Sequence, residues 1–304
     1  GYDKVVVLEE GDPLIEEVVS TMHSRVRGKL DGSLASTGAL DVMEVKRLLG
    51  VEYTVGREVR LDVPERKPSL CPGCPHRPTF HALKEQGYNA CTGDIGCYAL
   101  GAQEPLSVMD TCLCMGASIG QAAGLNHGGV ENIYAVVGDS TFLHSGLPSL
   151  LNAAYNGAEF TLIILDNHNT AMTGHQPTPL SGVRADKTRG TKVKLEKICG
   201  SLGAGFVKSY NPFELEEVRN ALKEASGRTG VKVLISDGAC QRIGGRKKAR
   251  AFHVDEDECR LCGRCLELGC PAIRRMDDKV SIDGSLCSGC GVCRQVCQNE
   301  AIKG

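Results

Sequence analysis

Cysteine spacing near the carboxyl terminus constrains this chain more than any other feature. Of 16 cysteines in 304 residues, eight fall after residue 258, in two runs. The runs are C-x2-C-x2-C-x4-C, with Cys259, Cys262, Cys265 and Cys270, and C-x2-C-x2-C-x3-C, with Cys287, Cys290, Cys293 and Cys297. Three thiolates spaced so closely can cover one face of a metal cluster, and the fourth must come from elsewhere. Because no secretion signal is visible, metal ligation is favoured over disulfides.

The tandem runs closely resemble bacterial two-cluster ferredoxins, in which the fourth cysteine of each run ligates the other cluster. The resemblance implies two [4Fe–4S] ligand sets: Cys259, Cys262, Cys265 and Cys297 for one cluster, and Cys287, Cys290, Cys293 and Cys270 for the second. Pro271-Ala272-Ile273 and Glu300-Ala301-Ile302 follow the runs as approximate repeats. Two departures are the longer final spacer of the first run and Gln298, which replaces the usual proline. A module with two four-thiolate zinc sites is the alternative.

Upstream of the cysteine runs, strand-like and helical segments alternate. Apolar runs cover 132–137, 160–165 and 231–235, and helical patterns lie near 145–157 and 212–226. Such alternation predicts an α/β fold with a parallel sheet and helices on both faces. We expect the helix near 212–226 to begin at Asn211-Pro212.

The first 65 residues have their own pattern. A strand-like run, Lys4 to Leu8, precedes Gly11-Asp12-Pro13, which predicts a helix with Asp12 as N-cap and Pro13 at the first helical position. We interpret this part as the tail of an α/β domain whose beginning is missing. Pro64, Lys67 and Pro68 mark a linker. The basic run 246–250 is interpreted as a second, solvated linker, with contact to an acidic redox partner as the alternative.

Charge and hydropathy exclude several classes of function. The 35 basic and 37 acidic residues leave a net charge of −2, which provides no electrostatic reason to bind nucleic acid or an anionic membrane. No apolar run approaches the roughly 20 residues needed to span a bilayer. We therefore expect a cytoplasmic chain, and Gly1 in place of Met suggests a fragment or a processed form.

A further motif follows the strand 132–137. Gly138-Asp139-Ser140 stands there, and Asn167 comes 28 residues after Asp139, at the end of the strand 160–165. The carboxyl ends of neighbouring parallel strands are where α/β folds bind ligands. This layout resembles the thiamine-diphosphate motif, in which oxygen ligands hold Mg²⁺ against the diphosphate. We expect Asp139 and Asn167 as Mg²⁺ ligands, the backbone oxygen of Asn169 as a third, a tight turn at Gly138, and phosphate contacts near Ser140 and Thr141.

Four other motifs occur in order: 71–77 (CPGCPHR), 94–98 (DIGCY), 110–120 (DTCLCMGASIG) and 170–177 (TAMTGHQP). With the motifs above, they resemble the C-terminal half of the α subunit in the indolepyruvate branch of the oxygen-sensitive 2-oxoacid:ferredoxin oxidoreductases, over nearly the whole chain. The resemblance implies the end of a transketolase-C-terminal-like α/β domain at 1–65, a thiamine-diphosphate-binding domain at 66–248 and a two-cluster ferredoxin-like α+β module at 249–304. The family's pyrimidine-binding domain is expected from an upstream segment or another chain.

The activity that the resemblance implies is oxidative decarboxylation of arylpyruvates such as indolepyruvate to aryl-acetyl-CoA. Thiamine diphosphate acts as electron sink, coenzyme A takes the acyl group, and electrons pass through [4Fe–4S] clusters to an external ferredoxin. A smaller γ-type subunit is the expected partner. Two alternatives are the same chemistry on pyruvate or another 2-oxoacid, and a non-catalytic electron-transfer subunit. The pair Asp139 and Asn167 argues against the last, because electron transfer alone needs no Mg²⁺–diphosphate site.

The resemblance also implies roles for single residues. Cys71, Cys74, Cys97 and Cys240 match the ligands of a third cluster in related enzymes, with structural thiols, a disulfide or zinc as alternatives. His76 and His175 are the candidate catalytic residues, and His144 is a further candidate to touch diphosphate or substrate; a structural role is the alternative for each. Ile119 matches the apolar residue under the bent cofactor, although packing explains it equally well. Cys91, Cys112, Cys114 and Cys199 are interpreted as core or redox-neutral thiols.

Overall fold

The computed structural model describes residues 2–52, 63, 67–243 and 249–304, in two units, Gly1–Arg66 and Lys67–Gly304. Pro64 and most of the basic run 246–250 lie outside the described residues. The predicted linkers and the predicted domain limits near residues 65 and 248 therefore stay predictions.

The first unit contains a short parallel strand pair and two helices: β1 (Val5–Val6), α1 (Leu14–Met22), β2 (Val26–Arg27) and α2 (Val42–Leu49). The expected N-cap of α1 is wrong. The helix begins at Leu14 without a side-chain cap from Asp12 or Pro13. Instead, the Glu9 carboxylate accepts hydrogen bonds from the backbone N–H groups of Ile15 (3.0 Å) and Glu16 (2.9 Å). A carboxylate from the preceding segment satisfies first-turn donors as an N-cap side chain does.

The second unit is built on six parallel strands. They are β3 (Ala90–Gly93), β4 (Thr111–Cys112), β5 (Ile133–Gly138), β6 (Phe160–Asp166), β7 (Phe206–Tyr210) and β8 (Val231–Asp237). The strand order is β4–β3–β5–β6–β8–β7, and every neighbouring pair is parallel. This confirms the α/β fold with a parallel sheet, and the three predicted strands coincide with β5, β6 and β8 to within two residues.

Helices cover both faces of this sheet. They are α3 (His76–Gln86), α4 (Ala117–His127), α5 (Asp139–Thr141), α6 (Leu147–Tyr155), α7 (Leu195–Ser201) and α8 (Leu215–Ser226). Tyr134 and Val136 of β5 pack in one core with α3 and α8. Ala135 and Val137, which point the other way, pack in a second core with α4, α6 and α7. Burial on both faces explains why the central strands are mostly apolar.

Two predicted helix starts differ from the structure. The helix expected near 145–157 is α6, preceded by a π-helical stretch, Phe142–Gly146, that continues from α5. The helix expected from residue 212 begins only at Leu215, whose backbone N–H donates to the Gln295 side chain at 2.7 Å. Asn211 instead accepts from the Phe213 N–H at 3.0 Å, forming a turn before the helix. Because Gln295 lies far away in sequence, local sequence signals could not place this start.

The cysteine-rich tail forms two antiparallel strand pairs and one short helix. These are β9 (His253–Val254) with β12 (Ile302–Lys303), β10 (Ile273–Met276) with β11 (Lys279–Ile282), and α9 (Val292–Gln295). This confirms the α+β module. Its apolar residues, among them Leu268 and Val292, continue the core formed by α3 and α8. The tail therefore packs directly on the sheet domain.

No helix in the described ranges combines the length and the apolar character that crossing a membrane requires.

Candidate thiamine-diphosphate and cluster sites

The polar motif residues meet at the carboxyl edge of the sheet. Asp139 directly follows β5 and Asn167 directly follows β6, and these neighbouring strands end in register, with Gly138 opposite Leu165. Asp139, Asn167 and Asn169 are all buried, with 2%, 8% and 6% of their surface exposed. The fold thus brings the three predicted Mg²⁺ ligands to one edge.

Unpartnered oxygen acceptors mark this edge. Asp139 Oδ2 and Asn169 Oδ1 are buried and have no hydrogen-bond partner within the part of the chain that the structure describes. Burial and the neighbouring Asp166 carboxyl raise the pKa of Asp139 to about 8. A buried carboxylate beside a second one is costly unless a cation compensates it. Hard oxygen donors of this kind suit Mg²⁺, so the residues fit the expected Mg²⁺–diphosphate group.

Hydrogen bonds arrange the remaining groups of this edge. Asn167 Oδ1 accepts from the Asn169 backbone N–H at 3.1 Å, and Asn169 Nδ2 lies 3.1 Å from His175 Nδ1. The expectation was that Asn169 ligates through its backbone oxygen. Its buried side-chain oxygen has no hydrogen-bond partner among the described residues and is a further candidate, while ligation through the backbone oxygen stays a prediction. Ser140 Oγ lies 2.7 Å from Thr170 Oγ1, and Thr141 Oγ1 donates to the Ile95 carbonyl at 3.3 Å. The ligand and phosphate roles of these residues stay predictions.

Gly138 is needed for a different reason from the one expected. Its φ of −78° and ψ of 155° are extended values that any residue adopts, so no tight turn demands glycine. A Cβ at this position would instead lie 2.6 Å from the Tyr98 ring. The Tyr98 hydroxyl donates to the Ile95 carbonyl at 2.7 Å. Glycine therefore lets an aromatic ring pack against the strand end.

Gly138→Ala is expected to lower stability by about 1–3 kcal/mol, because the new methyl group forces Tyr98 from its position. Thermal unfolding measures this effect. Gly200→Ala is the matched control: Gly200 lies inside α7 with open space around its Cβ position, so alanine there should be neutral or slightly stabilising. Equal melting temperatures for the two variants would contradict the packing role.

Asp94 organises the loops around the site, a role that the sequence analysis missed. Its carboxylate is fully buried. Oδ1 accepts from the backbone N–H groups of Ile95 and Gly116, both at 2.8 Å, and Oδ2 accepts from that of Ser118 at 3.1 Å. One side chain thus ties the end of β3 to the start of α4. The only feature of the sequence that could have indicated this role is the position of Asp94 in the motif 94–98.

Asp94→Asn should destabilise the sheet domain by about 2–3 kcal/mol, because an amide cannot accept all three charge-assisted bonds. The melting temperature is the measurement. Asp278→Asn, at an exposed turn, is the control and should leave it unchanged. If the Asp94→Asn variant has the wild-type melting temperature, these bonds contribute little to stability.

Four cysteines and two histidines line a cavity beside this edge. The cavity has a volume of about 220 Å³, and its walls include Asn167 together with Cys71, Cys74, Cys97, Cys240, His76 and His175. The structure therefore brings together all four residues of the predicted third ligand set, and it places them next to the predicted Mg²⁺ site.

The thiols of this cavity influence one another electrostatically. Burial raises the pKa of Cys74 to about 12, and the neighbouring Cys71 and Cys240 act in the same direction. The pKa of Cys97 is likewise raised by burial, then by Cys240 and Cys71. The choice between a cluster and zinc at these cysteines stays a prediction.

The two candidate catalytic histidines occupy different environments. His76 is buried, packs edge-to-face on Tyr98, and has its pKa lowered to about 4 by burial. His175 is exposed and has its Nδ1 next to Asn169, which leaves Nε2 as the ring atom for a ligand. His144 is exposed and does not line the cavity. Ile119 is fully buried in the core with Phe142, so its expected contact with a cofactor stays a prediction.

Each crossed cysteine set of the tail surrounds its own cavity. Cys259, Cys262, Cys265 and Cys297 line one. Cys270, Cys287, Cys290 and Cys293 line another, whose wall also includes Cys74 and Arg77 of the sheet domain. The structure thus groups the cysteines as the ferredoxin resemblance implies.

The remaining four cysteines divide into two classes. Cys91 and Cys199 are buried, as expected for core thiols. Of the two interpretations of Cys112 and Cys114, the core position is wrong, since both are exposed, and the redox-neutral role stays a prediction. They belong to a short edge strand and the loop after it, and only one side of an edge strand is covered by the sheet.

Comparison with known proteins agrees with this geometry. Residues 94–236 match the family described as "Thiamine pyrophosphate enzyme, C-terminal TPP binding domain", and residues 280–303 match the "4Fe-4S binding domain". Among solved structures, a 2-oxoglutarate:ferredoxin oxidoreductase from Magnetococcus marinus, with 2-oxoglutarate, coenzyme A and succinyl-CoA bound, has the same fold over 58% of this chain and 66% of that one (TM-score 0.50, 19% identity).

Curated relatives match over nearly the entire length. The chain is 41% identical to the indolepyruvate oxidoreductase subunit IorA of Archaeoglobus fulgidus, over 99% of this chain and 52% of the relative. It is 38% identical to that of Methanothermobacter thermautotrophicus, over 100% of this chain and 52% of the relative. The chain is therefore similar to indolepyruvate oxidoreductase subunit IorA over nearly its whole length, and it spans about half the length of the curated relatives that it matches.

Proposed function

We propose that this chain is the thiamine-diphosphate- and cluster-binding part of an enzyme that oxidatively decarboxylates arylpyruvates, indolepyruvate foremost, to aryl-acetyl-CoA. The observation that carries the proposal is one cavity wall shared by Asn167 and four cysteines. The proposed site for a diphosphate-bound cation would thus lie beside the proposed site for an electron acceptor. An oxidative decarboxylation needs this arrangement, and a non-oxidative one does not.

Residues of the sheet edge would hold the cofactor. Asp139, Asn167 and Asn169 would bind Mg²⁺ through oxygen atoms, with Gly138, Ser140 and Thr141 close to the diphosphate and Ile119 beneath the cofactor. Bound thiamine diphosphate supplies the electron sink that decarboxylation requires. Buried, neutral His76 would shape the polar wall of the cavity. His175, oriented by Asn169, would donate from Nε2 to a substrate carboxylate or to the diphosphate.

Electrons would leave the cofactor through clusters held in the three cysteine-lined cavities. The crossed tail sets fit two [4Fe–4S] clusters, and Cys71, Cys74, Cys97 and Cys240 fit a third. The cavities of the third set and of the second tail set share Cys74, which provides a route from the cofactor edge into the tail. An external ferredoxin would receive the electrons.

The proposal needs parts beyond this chain. A pyrimidine-binding domain would come from the rest of the protein or another chain, and a smaller γ-type subunit would complete the enzyme. The name of the relatives, which calls each a subunit, supports such an assembly. Coenzyme A as acyl acceptor is supported by its presence in the Magnetococcus structure. The cytoplasmic location stays a prediction.

The test is an anaerobic assay of the purified full-length complex with thiamine diphosphate, Mg²⁺, coenzyme A and a viologen dye, against a panel of 2-oxoacids. Fastest dye reduction with indolepyruvate or phenylpyruvate supports the proposal. A preference for pyruvate or 2-oxoglutarate keeps the reaction type and overturns the substrate. No turnover with any 2-oxoacid, despite intact clusters, would point to a non-catalytic electron-transfer subunit.

A further inference from the structure

Arg77 is a buried positive charge at the junction of the sheet domain and the tail. It lies in the first turn of α3, and only 5% of its surface is exposed. Its Nη1 donates to the carbonyls of Leu268 (2.8 Å) and Gly269 (2.6 Å) in the tail. Its Nη2 donates to the Leu70 carbonyl on the sheet-domain side. One guanidinium group therefore bridges the two parts of the unit.

All of these acceptors are backbone carbonyls. Among the residues that the structure describes, no carboxylate lies within ion-pair distance of Arg77. A guanidinium remains protonated in proteins, and a buried charge without an opposite charge is unfavourable. Carbonyl dipoles solvate the group but do not neutralise it, so its counter-charge must have another source.

The ionisable groups that influence the pKa of Arg77 are thiols of two different ligand sets. Burial lowers the pKa of Arg77, whereas Cys270, Cys74, Cys71 and Cys290 act in the opposite direction. Cys71 and Cys74 belong to the set near the Mg²⁺ edge, and Cys270 and Cys290 belong to the second tail set. Arg77 and Cys74 also line the cavity of that tail set. The guanidinium group thus stands between two predicted clusters.

The loops that carry these cysteines are in direct contact. Gly73, between Cys71 and Cys74, has a φ of +66°, and a Cβ there would collide with the side chain of Ser288, which lies between Cys287 and Cys290. Gly269, whose carbonyl accepts from Arg77, has no side chain to displace the guanidinium group. The loops 71–74 and 287–290 therefore approach each other closely, and Arg77 contacts the segment just before Cys270.

We propose that Arg77 is a positioning residue for electron transfer, the fixed positive charge that stabilises the reduced states of both clusters at this junction. A cluster with four thiolate ligands is anionic and becomes more so on reduction, and a buried cation beside it favours that added charge. One electron would pass from a cluster held by Cys71, Cys74, Cys97 and Cys240 to one held by Cys270, Cys287, Cys290 and Cys293, with no bond broken and no proton required. The charge of Arg77 would raise the potential of each cluster and so favour its reduced state.

This inference rests on the proposed function only in assuming that both cysteine sets hold [4Fe–4S] clusters. The test is a mediated redox titration of the full-length complex, poised with dithionite and followed by electron paramagnetic resonance. Signals are assigned by comparison with single-cysteine variants of each set. The titration needs no 2-oxoacid turnover, so it stands even if the proposed reaction fails.

In Arg77→Gln, the midpoint potentials of the sheet-domain cluster and the second tail cluster should both fall. That of the cluster in the set of Cys259, Cys262, Cys265 and Cys297 should stay unchanged. Arg77→Lys, which keeps the charge, should recover most of the shift. Arg219→Gln is the control, because the Arg219 side chain is 40% exposed and pairs with Glu85 at 2.9 Å, and this variant should change none of the potentials.

Unchanged potentials in Arg77→Gln, or an equal shift of all three clusters, would overturn the proposal. If the glutamine variant fails to assemble its clusters, the Arg77→Lys variant tests the role of the charge instead. A lysine variant with intact clusters and near wild-type potentials supports the role of the charge. Loss of clusters from both variants would assign Arg77 a purely structural role through its carbonyl bonds and overturn the proposal.

Discussion

Asp139→Asn is expected to weaken binding of thiamine diphosphate and Mg²⁺ to the full-length protein by more than about 100-fold. Groups that only orient a metal ligand already contribute 10–100-fold to affinity, and Asp139 is the predicted ligand with a full negative charge. Titration calorimetry and the thiamine content after desalting measure the effect. The iron content should not change, because Asp139 is absent from all three cysteine-lined cavities.

The same substitution should stabilise the cofactor-free protein. The pKa of Asp139 is raised to about 8 by burial and by Asp166, so the carboxyl group gains affinity for its proton on folding. The folded state therefore loses stability as pH rises from about 4 to about 8. Asparagine removes this penalty, and we expect a gain on the order of 1–3 kcal/mol at pH 8, smaller at pH 5. Thermal unfolding without Mg²⁺ tests whether Asp139→Asn stabilises the cofactor-free protein.

Asp186→Asn is the control for both measurements. Asp186 is exposed and accepts from the Thr188 hydroxyl at 2.6 Å within its own turn. This variant should bind the cofactor normally and show no comparable stabilisation. Wild-type affinity in Asp139→Asn would remove Asp139 from the predicted ligand set. Destabilisation of its cofactor-free form would contradict the account of the buried carboxyl pair.

Cys97→Ala is expected to lower the iron content from about 12 to about 8 atoms per chain, since each [4Fe–4S] cluster needs four thiolates. Reduction of a viologen dye by a 2-oxoacid should fall by orders of magnitude, because the acceptor beside the cofactor is lost. Dithionite should still reduce the two tail clusters, whose cysteines line separate cavities. Iron analysis and anaerobic spectroscopy together measure both effects.

Cys199→Ala is the matched control for this cysteine. Cys199 is fully buried in α7, within the core on the other face of the sheet, and none of the ligand sets includes it. The Cys199→Ala variant should have the iron content and the rate of dye reduction of the wild type. If Cys97→Ala also retains all of its iron, the thiols of the 220 Å³ cavity are structural, and the third cluster has to be abandoned.

Features with a local or periodic origin were predicted well from the sequence. The strands β5, β6 and β8 are mostly apolar, because burial on both faces selects such runs directly. Asp139 and Asn167 could be placed at one edge, since the carboxyl ends of neighbouring parallel strands coincide. The crossed cysteine sets were also anticipated, because the duplicated spacing reflects a duplicated fold.

Features that depend on contacts distant in sequence required the tertiary structure. Gly138 leaves space for the Tyr98 ring and is not required by a turn. The helix α8 begins at Leu215 because its backbone N–H donates to Gln295. The Asp94 carboxylate accepts hydrogen bonds from three backbone N–H groups. Composition and motif spacing do not reveal contacts between residues that lie far apart in the sequence. For the same reason the sequence, which displays Arg77 only as part of a motif, could not reveal its position between two ligand sets. Motif order predicted the types of ligand, and packing alone decided which buried polar and charged groups lack a compensating partner and therefore influence the charge of each site.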